Sequence, residues 1–424
     1  MINILRNTCL VMFLFGCSLA SNSVTENEVT KSFMVLANIN PEPKVYDVVK
    51  RSNEIIELYL EGQSYKGKST RVFALYSLPK DSLPTTNGKI PAVVLVHGGG
   101  GSAFEKWVTK WNDAGFAAIS IAVEGQTDQR NSDKSWKKHI YAGPARSEIY
   151  DDSDNLITDQ WMYHAVAAAI TARKFLASQT VISKEDIGIS GISWGGVITS
   201  TVIGFDPSFK FAIPIYGNGF LDSMANQYGS SLVNNDTYKD VWEPGLRIDK
   251  FKNPSLWLTW RDDVHFSLDA QAKTYGLLNF NVTNAIKPNI KHGHIAGWKQ
   301  PESYFFAQQV IKNKESWIEN SELTINKNNT ASAIFKIKLA AEEFKVKNVS
   351  VSFTTDKGHT GDAIWLEIPA IIDTNTNGNI TTIFRNMPED VTHWFFNIEF
   401  EVYSDTFETN ELITVSSGVF SSYL

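Results

Sequence analysis

Cysteine is almost absent from this chain: its 424 residues include two, Cys9 and Cys17, both near the N-terminus. Beyond them the protein must hold together by packing, with no disulfide and no thiol nucleophile. A basic excess is missing as well. Lys and Arg number 39 against 46 Asp and Glu, a formal net charge of −7, which argues against nucleic acid or an anionic membrane as the main partner. The N-terminal apolar run, Cys9 to Phe15, is too short to span a bilayer. What is present in ordinary measure is core: 43% hydrophobic and 20% charged residues, in a chain long enough for two domains or one large domain with an appendage.

Arg6 followed by that short apolar run reads as an export signal. Leu14-Phe15-Gly16-Cys17 resembles a bacterial lipoprotein box with Cys17 as the lipidated residue; cleavage after Ser18-Leu19-Ala20 is the alternative. The expectation is a signal peptide over 1–17, then a polar tether over 18–44 rich in Ser, Asn, Thr and Glu. The protein is then exported to the periplasm, outer membrane or cell surface of a Gram-negative bacterium and touches membrane only through its lipid.

Residues 45–319 alternate short apolar runs with amphipathic stretches, the pattern of an α/β domain whose mostly parallel sheet is covered by helices. Pro91 to Val96, Ala117 to Ile121, Ile187 to Ser190, Phe211 to Ile215 and Leu256 to Thr259 read as strands buried on both faces. Right-handed crossovers place the loops at their C-terminal ends on one edge. Two long insertions, Glu124 to Leu156 and Gly217 to Lys250, would overhang that edge or be solvated loops. Residues 320–424 change to alternating strands and predict an immunoglobulin- or fibronectin-like β-sandwich.

The stretch that carries chemistry is Gly191-Ile192-Ser193-Trp194-Gly195, after a buried strand and before a helix: a serine on a sharp turn, the nucleophile elbow. A serine hydroxyl needs a base, an orienting acid and donors for an oxyanion. The donors are expected from the N–H of Trp194 and from the loop His97-Gly98-Gly99-Gly100-Gly101, with Gly98 and Gly99 foremost. A phosphate-cradling role for that loop is the weaker reading, because neither a P-loop Lys-Ser/Thr nor a dinucleotide fingerprint is present.

Acid and base follow the serine in chain order. In Arg261-Asp262-Asp263-Val264-His265, after the strand at 256–259, Asp263 is the expected acid and Asp262 the fallback. In His292-Gly293-His294, His294 is the expected base, since it follows the glycine of the turn, and His292 the fallback. A His-x-His pair also suits a metal, but no matching acidic or histidine cluster lies upstream, so no metal and no cofactor is expected. Asp373 to Ile380 looks like the start of a calcium loop, yet its twelfth position is Phe384, which favours a hairpin turn. His139, His164, His359 and His393 are read as structural. Trp298 and Trp260 join Trp194 near the expected site, and aromatic faces stack on sugar rings, so both are candidates for contact with a carbohydrate substrate.

Taken together, His97 to Gly101, Asp159 to Val166, Gly191 to Gly196, Asp263 and His292-Gly293-His294 with Pro301-Glu302 resemble a secreted bacterial group of the α/β-hydrolase superfamily. That group is related to acetyl xylan esterases, dienelactone hydrolases and prolyl-oligopeptidase-type enzymes. The resemblance spans roughly residues 45–315, and a small β-sandwich closes many relatives. It implies hydrolysis of acyl, chiefly acetyl, esters on carbohydrates. The departure is Trp260, where relatives usually carry glycine. Two other readings stay open: a peptidase, with Asp151, Asp152 and Asp154 available to hold a substrate amine, and a carbohydrate-binding surface lipoprotein without catalysis.

Overall fold

The computed structural model describes residues 26–423 apart from positions 52, 53, 84, 86, 279–280, 314, 326–327, 340–342, 377–378 and 405–408. The expected signal segment, Cys17 and the first part of the expected tether lie outside the described residues. The rest of that tether is corrected. Glu26–Ala37 forms a helix, α1, with Leu36 buried and Phe33 edge-on to Phe205 at 4.7 Å. Val29, Phe33 and Leu36 fall on one helical face, an apolar stripe that the polar composition obscured.

The catalytic-type domain begins with the antiparallel strands Val45–Lys50 (β1), Ile56–Glu61 (β2) and Arg71–Ser77 (β3). Then come Ile90–Val96 (β4), helix Glu105–Asp113 (α2) and Ala117–Ile121 (β5). A small hairpin, Gln126–Arg130 (β6) and Trp136–Lys138 (β7), precedes the long helix Trp161–Ser178 (α3). Ile182–Ile192 (β8), Trp194–Phe205 (α4), Ala212–Ile215 (β9) and Gln227–Leu232 (α5) follow. Ser255–Trp260 (β10), Leu268–Tyr275 (α6), Val282–Lys287 (β11), His294–Trp298 (α7) and Pro301–Asn313 (α8) complete it.

The sheet runs β1-β2-β3-β5-β4-β8-β9-β10-β11, parallel from β5 onward. The central runs are buried end to end, as expected of strands covered on both faces. Parallel order gathers the ends of β4, β8, β10 and β11 on one edge, and the loops that leave them carry His97, Ser193, Asp263 and His292.

The first insertion is largely exposed over 129–142 and touches the glycine loop, whereas the second sends buried side chains into the core. In the first, Trp136 on β7 donates its indole N–H to Gly100 O at 2.7 Å. In the second, Tyr238 and Trp242 are fully buried, and Trp242 donates to Gln160 Oε1 at 2.6 Å.

The C-terminal strands are Ile318–Ile325 (β12), Ala331–Ile337 (β13), Phe344–Thr354 (β14), Leu366–Pro369 (β15), Ile371–Thr376 (β16), Asn379–Phe384 (β17), His393–Ser404 (β18), Thr409–Ser416 (β19) and Phe420–Ser421 (β20). They make two antiparallel layers around a core that includes Trp317, Phe335, Val351, Phe396 and Phe400. One layer is β12-β13-β17-β16; the other, β19-β18-β14-β15, continues the large sheet, because Ser416 on β19 pairs with Asn284 on β11. The module is therefore fused to the edge of the main sheet. The calcium-like segment forms the β16–β17 hairpin; its positions 377–378 lie outside the described residues. Among the described residues no helix is long and apolar enough to cross a membrane.

Candidate active site

Ser193 sits between β8 and α4 with φ 58° and ψ −120°, a left-handed conformation that costs a non-glycine residue about 1–3 kcal/mol. The turn is tight enough that a Cβ on Gly191 would lie 2.0 Å from Gly195 O, and one on Gly195 would lie 2.0 Å from Val96 O. Both positions admit only hydrogen.

His292 Nε2 lies 2.9 Å from Ser193 Oγ, and His292 Nδ1 lies 2.7 Å from Asp263 Oδ2. With the proton on Nδ1, His292 donates to the carboxylate and accepts from the serine hydroxyl. Asp263 is buried; its other oxygen accepts the N–H of His265 at 2.8 Å and of Phe266 at 3.2 Å. Tyr216 packs its ring at a tilt against His292 at 4.7 Å and donates its hydroxyl to Gly293 O at 2.9 Å, holding the turn that carries the imidazole.

The expectation that His294 faces the serine is corrected. His294 opens α7, which turns its ring away from Asp263 and toward the glycine loop, where Nε2 accepts the Gly98 N–H at 3.0 Å and the ring lies 4.9 Å from Phe104. Burial lowers its pKa below the usual histidine value, consistent with a neutral acceptor. Gly98 is corrected in turn: its N–H is engaged by His294. The Gly99 N–H makes no hydrogen bond among the described residues, and the Trp194 N–H, at the first position of α4, has no helical acceptor.

His97 fixes this loop from beneath. Its Nδ1–H donates to Gly98 O at 2.7 Å, and Nε2 accepts the Val123 N–H at 3.0 Å. Full burial pushes its pKa down to about 3, so the ring is neutral. A Cβ on Gly99 would meet both Trp194 Cδ1 and Arg146 Nη2 at 3.0 Å. Arg146, 5.1 Å above the Trp194 ring and 3.5 Å from Glu124 Oε1, lays a cation against the two residues with free N–H groups. It lies in an insertion without a motif, so nothing in the sequence marked it.

The fallback acid Asp262 is paired with Arg261 at 2.8 Å, and it is Asp263 that meets His292. Trp298 is buried against Phe104 and Trp107, and Trp260 donates to Pro288 O at 3.1 Å at the end of β10, so the structure assigns both to packing. A half-exposed aromatic beside the glycine loop is Trp136, with Arg130 over its ring at 3.2 Å. His292 and His294 face different partners, and among the described residues no group of three or more His, Cys, Asp or Glu side chains converges as a metal requires.

A parallel sheet with a strained serine, a histidine and a buried aspartate at its C-terminal edge defines the α/β-hydrolases. Residues 30–242, half of the chain, match the acetyl xylan esterase (AXE1) family, and the chain belongs to it. Among solved structures it is similar to acetyl xylan esterase 1 of Thermoanaerobacterium sp. JW/SL YS485, with TM-score 0.51, 14% identity and coverage of 68% of this chain and 95% of that one. It is also similar to the acetyl xylan esterase of Paenibacillus sp. R4, with TM-score 0.51, 16% identity and coverage of 69% and 95%. At these identities the likeness is one of fold. Dipeptidyl aminopeptidase BIII of Pseudoxanthomonas mexicana is 21% identical over 300 residues, a match that covers 62% of this chain and 38% of that protein. The chain thus spans well under half the length of that curated relative.

Proposed function

We propose that the protein is an exported serine esterase that removes acyl groups, chiefly acetyl, from a polysaccharide or its fragments. The observation that carries this reading is the relay from Ser193 through His292 to Asp263, at 2.9 and 2.7 Å. His292 takes the serine proton as Oγ attacks the ester carbonyl; Asp263 keeps the imidazole in the accepting tautomer and stabilises the imidazolium. The N–H groups of Trp194 and Gly99 stabilise the oxyanion, and the Arg146 cation favours the same negative charge. His292 then gives that proton to the departing sugar oxygen, leaving an acyl-serine ester, and activates a water that cleaves this ester to release the acid and free Ser193. The relay uses protein groups throughout and calls for no cofactor.

The sugar contact passes from Trp260 and Trp298 to Trp136, whose ring stands half-exposed beside Gly100. The peptidase reading has less support, because the central member of its acidic cluster serves the fold: Asp152 Oδ2 accepts the Trp161 N–H at the start of α3 at 2.5 Å. Export and lipidation at Cys17 belong to the same proposal, and Cys17→Ser tests them by release from the membrane fraction.

The deciding experiment offers the purified protein aryl acetates, acetylated plant and algal polysaccharides and dipeptidyl anilides. Acetate release that Ser193→Ala abolishes is the expected result. Turnover of the anilides alone turns the reading to a peptidase, and no turnover with no fluorophosphonate labelling of Ser193 turns it to a binding protein.

A further inference from the structure

The loop that carries Asp263 is held from the C-terminal module. Between β14 and β15 the chain makes a short turn, Thr360–Asp362, that reaches back over the edge of the main sheet. Thr360 Oγ1 accepts the Leu268 N–H at 2.8 Å, taking one of the unpaired donors at the start of α6. Gly361 lies directly on the main chain of the acid: a Cβ there would be 2.1 Å from Asp263 O, 2.4 Å from Asp263 C and 2.8 Å from Val264 N. The turn is itself braced, since Trp365 donates its indole N–H to Thr360 O at 3.0 Å and the Gly361 N–H donates to His359 Nδ1 at 3.0 Å.

Three further links tie the same loop and helix to the module. Arg261, two residues before the acid, pairs with Glu367 on β15 at 3.2 Å. His393 on β18 lies 3.0 Å from Asp269 on α6. Asn226, from the second insertion, donates to the carbonyls of Val264 and His265 and also lies 3.1 Å from His359 Nε2. Asp263 is therefore held on its main-chain side by a segment about a hundred positions further along the chain.

We propose that the C-terminal module is a positioning element for the catalytic acid, acting through Thr360 and Gly361, and that the hydrolase domain is incomplete without it. This rests on the serine hydrolase reading above. Neither residue touches substrate; they set where the Asp263 carboxylate meets His292 Nδ1. Displacements of about 1 Å at such a contact cost on the order of 100-fold in rate. A carboxylate drawn away from His292 also stabilises its protonated form less.

The test uses the full chain with Gly361→Ala, which drives a methyl into the Asp263 carbonyl, and Thr360→Val, which keeps the side-chain shape and removes the acceptor. Thr360→Ser serves as the conservative rescue. For the first two we expect kcat for an aryl acetate to fall about 10- to 100-fold with KM little changed. The acid limb of the rate profile shifts to lower pH, fluorophosphonate labelling of Ser193 slows, and Thr360→Ser restores most of the rate. Should Gly361→Ala fail to fold, Thr360→Val decides. Folded variants with lowered thermal stability but wild-type kcat, pH profile and labelling rate overturn the proposal and leave the esterase reading standing. A wild-type chain that neither turns over esters nor labels at Ser193 overturns both.

Discussion

His294 Nε2 accepts the backbone N–H of Gly98 at 3.0 Å, so the second histidine of the His-x-His pair props the glycine loop while the first faces Ser193. The two residues are separated by one glycine, yet one ring meets the serine hydroxyl and the other the main chain of the loop. This division of labour predicts unequal losses. His292→Ala is expected to lower kcat on the order of 1,000-fold or more, as loss of a general base does. His294→Ala, which frees one N–H and loosens a loop, is expected to cost about 10-fold, well below the loss of a whole oxyanion donor. Steady-state kinetics on an aryl acetate check the ranking; a reversed order refutes the assignment of His292.

A Cβ on Gly99 would crowd both Trp194 Cδ1 and Arg146 Nη2, at 3.0 Å from each. Gly99→Ala should push the loop off the Trp194 ring and cost on the order of 100-fold in kcat through a misaligned donor. Thermal unfolding should change little, because the loop ends at the protein edge. Crystallography of the variant, or kinetics alongside calorimetry, separates the two effects.

Acid should unfold this protein in a way that follows its buried histidines. Burial holds His97 down at about 3 and, as the largest effect, His139 and His164 at about 4, against 6.5 for a free histidine. The unfolded chain takes up these protons below pH 6.5, whereas the folded chain resists. Their contribution to stability is complete above that pH and is lost as pH falls toward the folded values. For His97 the slope reaches about 1.4 kcal/mol per pH unit. His97→Gln should flatten the decline in melting temperature between pH 6.5 and 4, even if it lowers the melting temperature at neutral pH.

Glu302 is buried on α8, where Oε1 meets Lys287 Nζ at 2.5 Å and accepts the Thr414 N–H at 3.0 Å. It thereby joins β11, α8 and β19. Glu302→Gln keeps the shape and removes the charge, stranding Lys287, and should cost about 3 kcal/mol of stability. Denaturant titration gives the number; per folded molecule, Ser193 labelling should be unchanged.

Much of this architecture was legible because it follows from local rules. The β-branched, apolar runs at 91–96, 117–121 and 187–190 read as strands covered on both faces, and Gly191 and Gly195 mark a turn that admits no Cβ. Ser193, the glycine loop and Asp263 follow from that pattern and its chain order. The helix over 26–37 was hidden, because a stripe of three apolar positions is a weak signal in a polar stretch. The choice between His292 and His294 was not in the spacing, since either could reach a serine until the start of α7 is known.

The sequence by itself determined which residues could do chemistry and the order in which strands and helices alternate, since periodicity and turn chemistry are properties of neighbours along the chain. Tertiary structure alone decided that His292 meets Ser193, that His294 and Arg146 flank the glycine loop, that Trp260 and Trp298 pack against the core, and that Gly361 rests on Asp263. Those are contacts between segments far apart in sequence, and the close packing of a folded interior settles them with no imprint on local pattern.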